Sequence, residues 1–294
     1  CTVESASQTR QPPLRHETKY STVGLQNMKK QIPTDMIFQL SALIISVILV
    51  HLVYQTVIRP NAEAVLESNA AQAAVDKDYV QERSLYVVVK DYEQESCFIL
   101  LFWALAIMGM KTRSAFYEKN LLDKDFINIH GGMNILPQDT RTYIRPLQAL
   151  SDKEQMGLLP RALSAALNRF ASTENVQDVS EAVKSVCEGE SDRLDSELSM
   201  IRYIAWAIPS IGFIGTVRGI SDALGQAYKA VEGDIAGVTA SLGVAFNSTF
   251  IALLISIVLV FFMHQLQLIQ ERLVLDTHNY CDKRLLSHLR TTDK

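Results

Sequence analysis

The sequence predicts an all-α membrane protein with four transmembrane helices and a helical cytoplasmic domain. Two observations support this fold class. Hydrophobic residues make up 48% of the 294 residues and charged residues 20%, and the apolar residues are gathered into long uncharged runs. Between these runs, the balance of charge changes from basic to acidic and back. Both features are typical of membrane spans joined to a soluble part.

The chain begins with a polar arm, placed at residues 1–33 because it contains three prolines and no apolar period. The first span is predicted at residues 34–59. Residues 36–58 carry no formal charge, and a helix of this length measures about 34 Å, enough to cross about 30 Å of hydrocarbon. Residues 60–95 are rich in Ala and Glu and predict a short periplasmic helical segment.

The next hydrophobic run, residues 97–110, has a length that fits a buried helix as well as a span. Charge placement favours a span. The N-terminal arm, the region after residue 110 and the C-terminal tail carry many Lys and Arg residues, whereas residues 60–96 are acid-rich. Because basic flanks stay in the cytoplasm, both termini are expected there. An even number of spans is then required, so residues 96–112 are predicted to be the second of four.

The soluble mass is predicted at residues 113–199, the cytoplasmic helical domain. Residues 151–154 have the form of a capping box before an amphipathic run. A second helix is expected to start near residue 174 and to continue into the membrane. The remaining elements are the third span at 200–221, a periplasmic loop at 222–234, the fourth span at 235–264 and a cytoplasmic C-terminal helix at 265–294.

The third and fourth spans each carry a face of small residues. At a period of 3.6 these faces are Ala205, Pro209, Gly212, Thr216 and Gly219 on the third span, and Ser241, Ala245, Ser248 or Thr249, Ala252 and Ser256 on the fourth. Such faces let two helices approach closely. We interpret five residues as hinge or packing positions: Pro209, Gly212, Gly215, Gly219 and Ala245.

The same two spans contain hydroxyl and amide side chains but no carboxylate. The candidate ion pathway consists of Thr216, Ser241, Asn247, Ser248 and Thr249. Hydroxyls coordinate an ion or hold water but carry no proton at physiological pH, so a proton pathway needs an acid from another chain. In the alternative interpretation, these side chains only pack helices and bond back to main-chain carbonyls.

The motif pair on these spans resembles a known family. It reads Pro209-x-x-Gly212-x-x-Gly215-Thr216-Val217-x-Gly219-Ile220, then Ala245-x-x-Ser248-Thr249-x-x-Ala252-Leu253. This is similar to the paired signature of the MotA/TolQ/ExbB family of ion-channel and stator subunits, and the specific resemblance covers residues 197–265. The first motif is closer to TolQ and ExbB, whereas four spans with a cytoplasmic N-terminus resemble MotA.

The resemblance implies a homopentamer in the bacterial inner membrane, with the third and fourth spans lining a central pore. The pore would surround two copies of a single-span TolR-, ExbD- or MotB-like partner, whose membrane Asp takes and releases the ion. Thr216 and Thr249 match the family's pore-facing threonines. The implied function is to convert proton or sodium motive force into rotation or mechanical work, with a possible cytoplasmic or cell-envelope effector and no cofactor besides the transported H⁺ or Na⁺. The ion and the process driven stay open.

Two residues near the predicted outer surface have two interpretations each. Arg218 stands where the ExbB-like pattern has a bulky apolar residue, and it either pairs with Asp222 one turn later or forms a positive ring at the pore mouth. His51 lies near the outer end of the first span. It is either an interfacial side chain or a proton-linked group.

Other function classes find little support. The sequence has no GxSxG, HExxH, Walker or CxxC motif, so we predict no enzyme and no catalytic or metal-binding residue. Cys1, Cys97, Cys187 and Cys281 lack disulfide or metal spacing and are interpreted as free thiols. A net charge of −4 without a basic stripe gives no reason to expect nucleic-acid binding. The main alternative function is a passive oligomeric membrane scaffold without ion-driven activity.

Overall fold

The computed structural model describes residues 32–75, 84–124, 126–127 and 134–291, without the side chains of residues 32–35, 73 and 74. The described residues divide into two units, one before and one from residue 42 onward. All but the last two residues of the predicted polar arm lie outside the described part of the chain. The regular structure of the described residues is helical, apart from one isolated bridge between Ile135 and Leu289.

We number the α-helices in chain order. They are α1 (Ile32–Val53), α2 (Arg59–Val75), α3 (Leu85–Val89), α4 (Tyr92–Leu122), α5 (Thr140–Gln148), α6 (Asp152–Gln155), α7 (Leu158–Thr173), α8 (Val176–Glu197), α9 (Ser199–Gly225), α10 (Ala227–Val231) and α11 (Ala236–Tyr280). A π-helical turn, Tyr54–Ile58, joins α1 to α2 without a break, and a second, Cys281–Leu285, follows α11.

Four stretches of helix are long and apolar enough to cross a membrane: Met36–Gln72, Tyr92–Leu122, Val176–Gly225 and Ala236–His288. The predicted all-helical class with four such helices is confirmed at this level. The helices are longer than the spans predicted from sequence, and α4 in particular begins at Tyr92, ahead of residue 96. Between α8 and α9 lies Leu198 alone, so the helix of the predicted cytoplasmic domain leads directly into the third span.

The membrane helices pack around the contact between α9 and α11, with α4 lying against both. Their shared core contains Ala104, Ile107 and Met108 of α4, Ile201, Ile204 and Ile208 of α9, and Ile251, Ile255 and Leu259 of α11. Other faces of α9 and α11 expose large apolar side chains, among them Trp206, Phe213, Phe246, Phe250 and Ile257. Exposed apolar surface of this extent fits contact with lipid or with another subunit.

The predicted cytoplasmic domain has its own core, in which Leu163, Leu167 and Phe170 of α7 lie buried with Val179 and Val183 of α8. The end of the chain returns to this core, where Cys281, Leu285 and Leu289 are buried. The residues around α7 and α8, together with the described end of the chain, therefore form a second packed region, which joins the membrane helices through α4, α9 and α11.

Local capping sets the helix boundaries of this domain. The Ser151 hydroxyl accepts from the backbone N–H of Glu154 at 3.4 Å, which forms the predicted capping box at the start of α6. Glu174 ends α7 in a left-handed conformation with φ of 51°. The Asn175 side chain then accepts from the backbone N–H of Gln177 at 2.9 Å. Helix α8 consequently starts within two residues of the predicted position.

Candidate ion pathway

The small-residue faces of α9 and α11 lie directly against each other. A Cβ atom at Gly215 would lie 2.5 Å from the Cβ of Ser248, and one at Gly219 would lie 2.7 Å from the backbone nitrogen of Ala245. Both distances are far below a van der Waals contact, so the two helix backbones approach as closely as they do because these positions are glycine.

Pro209 and Gly212 extend this contact toward the middle of α9. Pro209 has no N–H to offer the carbonyl of Ala205, four residues earlier. The hydroxyl of Ser256 on α11 donates to that carbonyl at 3.4 Å, so α11 supplies the hydrogen bond that the proline removes. One turn further along α9, a Cβ atom at Gly212 would collide with the Cβ of Ala252.

Thr216 and Thr249 meet at the centre of this contact. Their hydroxyls hydrogen-bond to each other. The Thr216 hydroxyl also lies 3.1 Å from the carbonyl of Ala245, and the Thr249 hydroxyl 3.4 Å from that of Gly212. Both threonines are half-buried. Because each hydroxyl has one proton and two lone pairs, the pair retains acceptor capacity for water or a cation on its open side.

The other candidate residues divide into two groups. Ser248 is buried beside the threonine pair, where its hydroxyl accepts from the Gln94 amide at 3.4 Å, and Asn247 adjoins it, half-buried. Ser241 lies two helical turns away and accepts from Gln226 at 3.0 Å, near the end of α9. The structure therefore brings Thr216, Thr249 and Ser248 together and leaves Ser241 apart from them.

Glu93 of α4 adds a carboxylate to this site. From sequence it belongs to the outer segment at residues 60–95, but the structure places it in the first turn of α4. Its Cγ atom would lie 3.1 Å from a Cβ at Gly215, and its side chain is only 11% exposed. The third and fourth spans contain no carboxylate, which is why an acid from another chain was expected. The second span brings a carboxylate of the same chain to the small-residue faces.

Arg218 pairs with this carboxylate. Its Nη2 atom lies 2.9 Å from Oε2 of Glu93. The pairing with Asp222 considered from sequence is therefore not the one that the structure shows. The guanidinium reaches back to α4 instead, because the first turn of that helix lies against α9.

A second carboxylate on the same turn is held by two other groups. Glu95 is nearly buried, with Nη2 of Arg59 at 2.5 Å and Nδ1 of His51 at 2.6 Å. The Arg59 guanidinium also lies over the ring of Tyr92, at 4.4 Å from its centroid. His51 is half-exposed, as an interfacial side chain would be, and is at the same time in contact with a buried acid.

Sequence reasoning missed these acids because it ended the outer segment where the hydrophobic run starts, at Cys97. The chain did contain a signal for an earlier start. Asp91 occupies the N-cap position of α4, and Glu93 and Glu95 follow in the first turn. Acidic residues at these positions are typical of a helix N-terminus.

Two apolar helices with touching small and hydroxyl-bearing faces thus form the centre of the site, and they lie inside the segment that a known family matches. Residues 154–279 match the model of the MotA/TolQ/ExbB proton channel family. This segment belongs to that family. The MotA/TolQ/ExbB segment runs from α6 to the last turn of α11, whereas α1 to α4, with Glu93, lie outside it. No curated protein and no solved structure matches the chain.

The described residues contain no group of three or more His, Cys, Asp or Glu side chains arranged to hold a metal ion. Cys97, Cys187 and Cys281 are buried free thiols. Cys1 lies outside the described residues.

Proposed function

We propose that the chain is an ion-channel and stator subunit that converts proton or sodium motive force into rotation or mechanical work. The observation that carries this proposal is the meeting of Thr216 and Thr249 between two apolar helices, within the segment that matches a proton channel family. A half-buried hydroxyl pair holds water or an ion without the cost of a buried charge. A carboxylate, and not these hydroxyls, would carry the negative charge that binds the ion.

In this proposal, five copies in a bacterial inner membrane surround two copies of a single-span partner, and both termini face the cytoplasm. A membrane Asp of the partner binds and releases the ion beside the threonine pair. The exposed apolar faces of α9 and α11 support an assembly of this kind, since they have room for both lipid and neighbouring subunits. The direct passage from α8 to α9 supports a rigid connection from the membrane to a cytoplasmic or cell-envelope effector.

A second candidate function is a passive oligomeric scaffold. One observation favours it: the hydroxyls of Ser248 and Ser256 donate to main-chain carbonyls, and the two threonines lie within hydrogen-bond distance of such carbonyls. Hydroxyls that only pack helices would show the same bonds. A scaffold would assemble normally and would show no dependence on the membrane potential.

Gentle purification of the tagged chain from its native membranes tests the proposal. Mass spectrometry identifies the proteins that accompany it, and native mass gives the copy numbers. The proposal predicts five copies with two of a small protein that has one apolar span containing an Asp. A homo-oligomer without an acidic single-span companion would reject the motor function and favour the scaffold.

A further inference from the structure

The start of α4 gathers polar side chains that the pathway described above does not use. Gln94 is completely buried, and its amide nitrogen lies 3.2 Å from the carbonyl of Val88 and 3.4 Å from the hydroxyl of Ser248. Gln94 therefore connects the outer end of the second span to a hydroxyl of the candidate ion pathway.

Three buried polar atoms of the first span and the start of α4 have no hydrogen-bond partner among the described residues: Oη of Tyr54, Oδ2 of Asp91 and Oε1 of Gln94. Tyr54 is 1% exposed and lies in the π-helical turn of the first span. Its hydroxyl is within electrostatic range of Asp91 and Glu95. Buried polar atoms are almost always hydrogen-bonded to protein or to ordered water. Two acceptors and one hydroxyl, which donates or accepts, are a suitable set of partners for water.

Gly215 connects this region to Glu93. A side chain at Gly215 would occupy a point 2.7 Å from the hydroxyl oxygen of Ser248 and 3.1 Å from the Cγ of Glu93. Glu93 and Ser248 thus both pack against Gly215. Ser248 in turn accepts from Gln94, so it adjoins both the carboxylate and the buried amide.

The two carboxylates of this turn differ in how firmly they are held. Glu95 has two cationic or protonatable partners, Arg59 and His51, at 2.5 and 2.6 Å. Glu93 has one, Arg218, at 2.9 Å, and this arginine is itself 42% exposed. Of the two acids, Glu93 is the one whose ion pair opens at the lower cost.

We propose that Tyr54, Asp91 and Gln94 bind a small cluster of water molecules. Glu93 accepts a proton from this water, and the proton then moves on to Ser248 and the threonine pair. The inference rests on the proposed function. A hydronium ion of the cluster gives its proton to a carboxylate oxygen of Glu93 and becomes water. The neutral acid then releases Arg218. When the proton passes to water beside Ser248, the ion pair with Arg218 forms again.

Radiolytic hydroxyl-radical labelling of the purified complex tests the water site without any need for activity. Hydroxyl radicals form from the water molecules present at each site, so a buried ring is labelled only if water lies beside it. We expect Tyr54 to be labelled at least about tenfold faster than Phe170, which is completely buried in the apolar core of the other domain. Labelling of Tyr54 as slow as that of Phe170 would overturn the water site.

Potential-driven proton uptake by liposomes that contain the complex tests the role of Glu93. We expect Glu93→Gln to lower uptake on the order of a hundredfold, as loss of a proton-transfer group does, and Glu93→Asp to restore part of it. The matched control is Glu67→Gln, which removes an exposed acid of α2. Unchanged uptake in Glu93→Gln would overturn the inference and leave the proposed function intact. Absence of uptake in the wild-type complex would reject both the proposed function and the proton route.

Discussion

The carboxylate of Glu93 and the guanidinium of Arg218 form an ion pair at 2.9 Å that joins the first turn of α4 to the third span. The pair connects a helix outside the family match to the helix that carries its first motif. Because Glu93 also faces Gly215, the pair fixes a carboxylate at the edge of the contact between α9 and α11. A sequence motif confined to the third and fourth spans therefore misses part of the site.

Arg218→Gln is expected to leave the native mass of the complex unchanged and to lower ion-driven activity about fivefold. The physical reason is that Glu93 loses the counter-charge that orients it, a change of about 1 kcal/mol for a partly exposed pair. Arg218→Lys keeps the charge and is expected to recover part of the activity. Arg141→Gln, an exposed arginine on α5, serves as the control. Activity equal to wild type in Arg218→Gln would exclude a role for the pair in ion movement.

Gly215→Ala is expected to destabilise the protein, because the new methyl group would lie 2.5 Å from the Cβ of Ser248. Overpacking of a close contact costs about 1–3 kcal/mol. The same substitution at Gly109 of α4 meets no atom within 4 Å and is expected to be neutral or slightly stabilising, since alanine favours helix. Thermal unfolding of the detergent-solubilised protein measures both. An equal melting temperature for the two variants would show that α9 and α11 leave room for a methyl group at Gly215.

Glu190 in the predicted cytoplasmic domain gives a prediction about pH. Its carboxylate is buried, with Arg193 at 2.5 Å and Arg161 at 3.1 Å. Burial by itself opposes ionisation, but hydrogen bonds and charge from Arg193 and Arg161 outweigh it and hold the pKa of Glu190 below its usual range. Since the folded pKa is lower than the unfolded one, the stabilisation is present above about pH 4.3 and is lost as the pH falls through the folded value.

We therefore expect Glu190→Gln to lower stability at pH 7 by about 2 kcal/mol, the usual worth of hydrogen bonds to a charged group. The difference in the free energy of unfolding between variant and wild type should narrow as the pH falls below about 4.3. Glu188→Gln is the matched control, because Glu188 is exposed and pairs with Lys184 along the same helix. A difference in unfolding free energy that stays constant from pH 7 to pH 3 would show that the charge of Glu190 is not what stabilises the domain.

The sequence predicted the parts of the fold that depend on local pattern. Uncharged runs indicated the four apolar helices, and the capping box at Ser151 and Glu154 marked the start of α6. The spacing of small residues predicted that α9 and α11 carry faces for close contact, and in the structure Gly212, Gly215 and Gly219 touch α11. These features follow from periodicity and from residues that lie close together in the sequence, so one sequence is enough to predict them.

The parts that the sequence did not predict depend on contacts between distant segments. Arg218 and Glu93 are 125 residues apart, and periodicity along α9 points only to the local alternative, Asp222. Likewise, nothing near Pro209 shows that Ser256 supplies a hydrogen bond to the carbonyl of Ala205. Hydrophobicity alone predicted a span from residue 96, whereas the helix that contains it begins at Tyr92, where Asp91, Glu93 and Glu95 mark a helix N-terminus.

Proton or sodium uptake by liposomes under an imposed potential shows whether the hydroxyl pair of Thr216 and Thr249 serves ion movement. Thr216→Val with Thr249→Val removes both hydroxyls at nearly constant volume, and Thr239→Val removes an exposed hydroxyl of α11 as the control. We expect an uptake at least about tenfold below wild type in the double variant, equivalent to about 1.4 kcal/mol of lost stabilisation, with the native mass unchanged. Uptake equal to wild type in an intact complex would contradict this expectation and leave the two threonines a packing role alone.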